Sequence, residues 1–312
     1  MWEFVQAAES LTASAFRVGA PLILAAFAGM YAERSGVVDI GLEGKMLAGA
    51  FFAAAAAYSF NDPWLGLAAA VAAASAMSAL LGFAAITLGG DQVVSGMAVN
   101  ILAAGLTPTL AHAWFHLGGQ TPLLPDAARV PELPLAGLLG EAWGGSSALL
   151  AVALLTALIT WLVLERTRFG LRLRAVGENP HAVDVAGLSV AGLRWRALMI
   201  CGALTGLAGA YLSIAHGAGF VRDMTAGKGY LALAALIFGK WRPWPTLAAC
   251  LLFAYADAAQ ARLQGASLPL IGAIPAPFIQ MSPYVLTVLL LAGLVGRAQA
   301  PKASGQPYVK ER

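Results

Sequence analysis

The sequence predicts an all-α polytopic membrane protein with about eight to ten transmembrane helices. Three observations carry that prediction. Of the 312 residues, 59% are hydrophobic and 11% charged, against roughly 25% charged in soluble domains, so too little polar surface exists to cover a water-soluble globule. Uncharged apolar stretches recur along the whole chain. Two of them are short and follow glycine-rich, charged inserts at corresponding places in two halves, the sequence sign of broken helices in an internally repeated membrane protein.

A helix needs roughly 20 apolar residues to cross a hydrocarbon core of about 30 Å. The first candidate is 11–32, whose Arg17 must snorkel or face protein. It is followed by 45–60, 64–88, 92–117, 147–164, 197–217, 228–239, 244–261 and 281–296, with 45–60 and 228–239 the short pair. These group into a single membrane domain over 1–300, with repeats of about 11–117 and 147–296 and a tail at 301–312.

Orientation follows from Lys and Arg near span ends. The link after 147–164 holds Arg166, Arg168, Arg172, Arg174, Arg194 and Arg196, the largest basic concentration in the chain, and belongs in the cytoplasm. GKWRPW, with Lys240 and Arg242, and the tail, with Arg297, Lys302, Lys310 and Arg312, fall on the same side. The loop 118–146 carries Asp126, Glu132 and Glu141 against Arg129 and fits the outer face. Nine spans put the N-terminus outside; one re-entrant piece reverses that. Trp64, Trp195, Trp241 and Trp244 lie at span borders, where amphipathic rings anchor at headgroup level. MWEFVQAAES lacks the basic region of a cleaved signal peptide, so residue 1 is expected to belong to the mature protein.

The charged insert VVDIGLEGKMLAGA at 37–50 is echoed by VRDMTAGKGYLALA at 221–234. With one gap, Asp39 aligns with Asp223 and Lys45 with Lys228. Two readings stand. Residues 33–45 form an ordinary surface loop, or both inserts are unwound starts of half-helices. A half-helix leaves unpaired N–H groups at its start that only protein or a watery cavity tolerates at depth. Its positive end then offers donors to a polar solute.

Other polar marks are sparse. Gln92, Asn100, Thr107 and Thr109 lie on one segment with His112 and His116, and interhelical hydrogen bonding is their default role. Gly202, Gly206 and Gly209 read as a helix-packing face. Asp257 and Arg262 stand at i,i+5, off the standard helical pairing. Cys201 and Cys250 read as small buried hydrophobes, not as a disulfide or metal pair. No basic run suggests nucleic acid. HExxH, CxxC, GxSxG and the GxxxxGK[ST] phosphate loop are all absent, so the sequence offers no catalytic residue, no metal site, no cofactor and no ATP hydrolysis by that route. If the chain moves solute uphill, an ion gradient or another subunit supplies the energy.

Four segments in order carry a family resemblance: ERSGVVDIGLEGKMLAGAFFA, GGDQVVSGMAVNILAAG, GENPHAVDVAGLSVAGLRWRALMICGALTGLAGAYLS and MTAGKGYLALAALIFGKWRP. Together, over about 15–295, the chain resembles an inner-membrane permease of a bacterial ABC importer. The resemblance is to the branched-chain amino acid/simple sugar permease superfamily, and within it to the purine-nucleoside-type permeases. It implies two inverted repeats with broken half-helices, a second permease subunit, membrane lipid around the bundle, a cytoplasmic ATPase that binds the ATP, and an extracytoplasmic substrate-binding lipoprotein. It also implies a bacterial inner-membrane location with the C-terminus in the cytoplasm. The ATPase would dock on the arginine-rich loop, where Arg174, Gly177, Glu178, Asn179, Pro180, Ala182, Gly187 and Leu188 form the expected coupling segment. There Asn179-Pro180 breaks the chain, Ala182–Leu188 makes a short helix, and Gly187 ends it. The two inserts become half-helix starts near the pathway, giving Asp39, Glu43, Asn100, Asp223 and Lys228 as pathway or gate residues. Phe220 and Tyr230 flank the second half-site, for packing or for stacking on a base, and Asp39 is expected to pair with Lys228 across the repeats.

The main expectation is a purine-nucleoside permease of an ATP-driven importer working by alternating access. A simple-sugar permease is the same machine with other cargo. An ion-coupled secondary transporter would work as a single chain. An intramembrane enzyme would have only His112, His116 and His216 to offer.

Overall fold

The computed structural model describes residues 2–132 and 147–263, the pairs 267–268 and 272–273, positions 281, 285 and 288, and residues 299–309. The expected span 281–296 and Glu141 of the outer loop lie outside the described residues, apart from positions 281, 285 and 288.

The protein is a helical bundle. α1 (Trp2–Arg34) leads through a turn at 35–41 into α2 (Leu42–Phe60), and α3 (Pro63–Gly82) continues into a π-turn (Phe83–Thr87). α4 (Gln92–Phe115) and α5 (Ala148–Arg166) follow. α6 (Arg168–Glu178) and the short α7 (Pro180–Val185) make the connection to α8 (Val190–Ala210), which runs into a π-turn at Tyr211–His216. α9 (Lys228–Phe238), α10 (Pro243–Leu263) and a two-residue hairpin, Ser267–Leu268 with Gly272–Ala273, complete the described elements.

Among the described residues, five helices are long and apolar enough to cross a membrane: Ala8–Arg34, Pro63–Thr87, Gln92–Phe115, Ala148–Arg166 and Val190–His216. Their burial sorts them by place. The stretches in α1 and α8 are 67% and 72% buried, whereas that in α4 is 28% buried. α1 and α8 therefore form the centre, packed on each other and between them on α2, α3, α9 and α10. α3, α4 and α5 show Leu80, Val94, Ile101, Leu155 and Ile159 on the outside, as expected of helices whose outer neighbour is hydrocarbon. α2 gains its start from Leu42 and is 19 residues long, close to a full span, so it is not the short segment that 45–60 suggested. α9 has 11 residues, about 16 Å at 1.5 Å per residue, or half the hydrocarbon core.

Small residues set the centre. A Cβ on Gly209 would sit 2.2 Å from the Met46 carbonyl, and one on Gly206 would sit 2.6 Å from that of Ala70. The glycine face of α8 therefore lets backbones of α2 and α3 approach, which is the packing role expected of it.

The ends separate chemically. Arg34 Nε donates to the Trp241 carbonyl (2.8 Å), and the amides of Ala303 and Gly305 donate to the carbonyls of Gly177 (2.8 Å) and Gly36 (3.2 Å). The arginine-rich link, the GKWRPW turn and the tail thus gather at one end of the bundle. Residues 121–130 lie at the other, tied to Ile214, Ala218 and Phe220 through backbone bonds from Val130, Leu124 and Thr121. There Arg17 lines an open cleft of about 470 Å³ with Arg129, Glu132, His216 and Arg262. Trp64 and Trp244 are exposed at the rims, but Trp241 is buried and its indole donates to Glu33. It is a tertiary lock, not a headgroup anchor.

Candidate functional site

The unwound turn 35–41 is built from its own polar residues. Gly36 takes φ +84°, which lets the chain leave α1 sharply. The Val38 amide donates to Gln92 Oε1 (2.7 Å), and the Gly41 amide donates to Asp39 Oδ1 (3.1 Å), an Asx-type turn. Asp39 Oδ2 pairs with Lys45 Nζ, both side chains being fully buried, and also accepts from Cys201 Sγ (3.1 Å). Lys45 stands one turn into α2, so its side chain reaches back over the turn. This corrects the expected Asp39–Lys228 pair. Lys228 bonds Asp257 instead (3.1 Å), because it opens α9 and faces α10, and Asp257 is therefore not reserved for Arg262. Cys201 is likewise more than a small hydrophobe, since it bonds the buried carboxylate.

Neither α2 nor α9 carries a side-chain cap of its own: their N-cap residues are Gly41 and Gly227. Both caps arrive from elsewhere. Asn100 of α4 accepts from the Gly44 amide in the first turn of α2 (2.8 Å) and donates to the Ile40 carbonyl (3.0 Å). Glu43 of α2 accepts from two amides at the start of α9, Gly227 to Oε1 (2.8 Å) and Gly229 to Oε2 (2.6 Å). A carboxylate on the positive end of a half-helix is favourable both as a hydrogen-bond acceptor and toward the helix dipole. The approach is close because residue 229 is glycine: a Cβ there would lie 2.5 Å from the Glu43 amide nitrogen. Asn100 Nδ2 also donates to the Tyr230 hydroxyl (2.9 Å), so α2, α4 and α9 meet at one point.

An open cleft of about 270 Å³ lies there, lined by Glu43, Asn100, Asp223 and Tyr230 among others, with Met97 and Ile101 as an apolar wall. Of the expected pathway residues these four come together. Asp39 is buried beneath the site and supports it. Lys228 faces Asp257. Phe220 is 1% exposed and packs edge-on against Phe51, with ring centroids 5.3 Å apart, so it is a core aromatic rather than a stacking surface. Missed from the sequence were Thr225, Ala226 and the capping amide of Gly227. The absence of Ser, Thr, Asp or Asn at the α9 N-cap was the available signal that a cap must come from another helix.

At the basic end, Arg174, Gly177 and Glu178 lie on α6, and Asn179 caps α7 by accepting from the Ala182 amide (3.1 Å). The short helix is Pro180–Val185, earlier than the expected Ala182–Leu188, because proline at its first position starts it. Gly187, at φ +78°, and Leu188 follow as the link to α8, which Ser189 caps. Val185 is 90% exposed on α7, an apolar side chain presented outward.

Residues 11–296 match the family described as the branched-chain amino acid transport system / permease component. The chain belongs to that family. It is 40% identical, over 99% of both chains, to the guanosine ABC transporter permease protein NupQ of Bacillus subtilis. It is 36% identical to the nucleoside ABC transporter permease protein NupC of Lactococcus lactis, covering 94% of each. A solved structure of a metal-chelate type ABC transporter in an inward-facing conformation aligns with TM-score 0.51, covering 91% of this chain and 85% of that one at 18% identity. That likeness carries the fold.

Proposed function

We propose that this permease carries purine nucleosides into the cytoplasm as one of two permease subunits of an ATP-driven importer. The observation that carries the reading is the likeness, over nearly its whole length, to the two nucleoside permeases. The cleft chemistry agrees: Glu43, Asn100 and Asp223 offer partners for ribose hydroxyls, and half-exposed Tyr230 offers a ring face to a base. The chain has two halves, about 11–117 and 147–296, and the cleft opens toward the second permease. ATP is bound by a cytoplasmic ATPase docked on α6–α7, and an extracytoplasmic lipoprotein delivers solute to the opposite end. Access alternates as the starts of α2 and α9, joined by Glu43, shift. The protein sits in a bacterial inner membrane with its C-terminus in the cytoplasm.

The test is uptake of labelled guanosine, adenosine and ribose by cells lacking the gene, with and without complementation, and with the ATPase disabled in a parallel strain. Nucleoside uptake that needs both genes is the expected result. Ribose uptake alone reassigns the cargo. Uptake that survives loss of the ATPase and collapses with a protonophore makes the chain a secondary transporter.

A further inference from the structure

The C-terminal tail is built into the bundle where the coupling segment and the unwound turn meet. Within three residues it bonds both: Ala303 N to the Gly177 carbonyl at the end of α6 (2.8 Å), and Gly305 N to the Gly36 carbonyl (3.2 Å). Ala303 is buried, and a Cβ on Gly36 would come within 3.1 Å of the Ala303 carbonyl. Further on, Tyr308 packs edge-on against His181 of α7, ring centroids 5.2 Å apart, and against the small cluster of Val176, Val183, Val190 and Leu193.

Arg194 completes the junction. It is 1% exposed, one turn into α8, just after the coupling segment. Its Nε donates to the Ser35 carbonyl (3.3 Å) and its Nη1 to the Gln306 carbonyl (3.1 Å). Nη2 has no hydrogen-bond partner among the described residues. A buried guanidinium held, among the described residues, by carbonyls alone is a costly way to stabilise a fold. Its planar fork does fix the spacing of what it bridges, here the unwound turn and the tail.

We propose that residues 301–309 and Arg194 act as a positioning strap that transmits movement of α6–α7 to the turn 35–41, and through it to Asp39 and Glu43. This rests on the coupling role proposed above for α6–α7. The path is a contiguous run of ring contact, hydrogen bonds and backbone, a physical route along which the two ends can be coupled. It runs from His181 of α7 to Tyr308 of the strap, from the strap to Gly36, and along the turn to Glu43. α6 also meets α1 directly, since a Cβ on Gly177 would lie 2.3 Å from the Arg34 carbonyl. Loss of the strap therefore weakens transmission without abolishing it.

The experiment uses the complete transporter, both permeases with ATPase and binding protein, in proteoliposomes. ATP hydrolysis and guanosine uptake are measured in the same vesicles and normalised to assembled complex. The variants are a truncation after Ala300, Arg194→Met, Arg194→Lys and, as control, Gln306→Ala, which keeps the backbone carbonyl that Arg194 uses. The truncation and Arg194→Met are expected to lower guanosine moved per ATP by about fivefold or more, the lower range of measured coupling energies. Hydrolysis persists in both. Arg194→Lys, a point charge without the fork, falls with Arg194→Met, and Gln306→Ala matches the parent. An unchanged ratio in the truncation, or uptake and hydrolysis falling in proportion, overturns the proposal. A higher ratio after truncation overturns it too and makes the tail an inhibitory cover. Absence of any ATP-dependent uptake in the parent transporter would instead count against the proposed function.

Discussion

Glu43→Gln isolates the contact that joins the start of α2 to the start of the half-helix α9. The carboxylate gives one oxygen to the Gly227 amide at 2.8 Å and the other to the Gly229 amide at 2.6 Å. A hydrogen bond to a charged group contributes roughly 1.5–3 kcal/mol net, and a neutral one about 0.5–1.5. Glutamine keeps one acceptor, loses the charge facing the α9 dipole and turns an NH2 toward the second amide. The expected loss is about 2 kcal/mol, because the cleft admits water to the unmet groups, or roughly thirtyfold in the balance between docked and undocked ends of α9. Thr225 is 1% exposed and lines the same cleft, so Thr225→Cys reports undocking through thiol labelling. The native Cys201 and Cys250 are buried, which keeps the background low. Adding Glu43→Gln should raise the labelling rate at 225 by up to that factor and reduce uptake. Unchanged labelling and uptake would refute the reasoning that Glu43 holds the ends together.

Gly229→Ala places a Cβ 2.5 Å from the Glu43 amide nitrogen, so the half-helix must back away at a cost of about 1–3 kcal/mol, read as lost uptake and a lower melting temperature of the purified protein. Asp39→Asn and Lys45→Met each leave a fully buried charge unpaired and should destabilise by about 3–5 kcal/mol, while the double variant recovers most of the melting temperature. Exchanging Asp39 and Lys228 should rescue nothing in uptake, because the two are not partners. Val185→Glu puts a charge on the exposed apolar tip of α7 and should reduce the ATPase retained on the purified permease, with the permease's own stability unchanged within about 0.5 kcal/mol.

Composition and spacing made the class of fold legible, because a chain poor in charge must either span a membrane or aggregate. The insert at 33–45 was legible as an interruption, because five ionisable side chains and three glycines break an otherwise apolar run there, but the pattern left a surface loop and an unwound helix start both open until the family resemblance chose the second. The partners of those charges were not. Aligning Lys45 with Lys228 suggested an exchange across the repeats, but a lysine's reach depends on which way its turn of helix faces. That is set by the Asx-type turn at Asp39 for one and by the packing of α9 on α10 for the other. Glu43 was legible as polar and out of place, while its job as a cap for a helix 184 residues away was not, because the acceptor and the amides share no local pattern. The tail read as an ordinary basic end, and its bonds to Gly36 and Gly177 are backbone bonds that no side-chain pattern announces.

The central claim is that this chain forms half of an ATP-driven path for nucleosides. The direct measurement is guanosine accumulation in proteoliposomes holding the purified transporter, with ATP supplied on the side of the ATPase and the binding protein on the other. The account predicts accumulation that requires hydrolysable ATP, persists with a protonophore and is reduced in Glu43→Gln. Accumulation driven by an ion gradient without ATP, or none for any nucleoside while ribose accumulates, would contradict it.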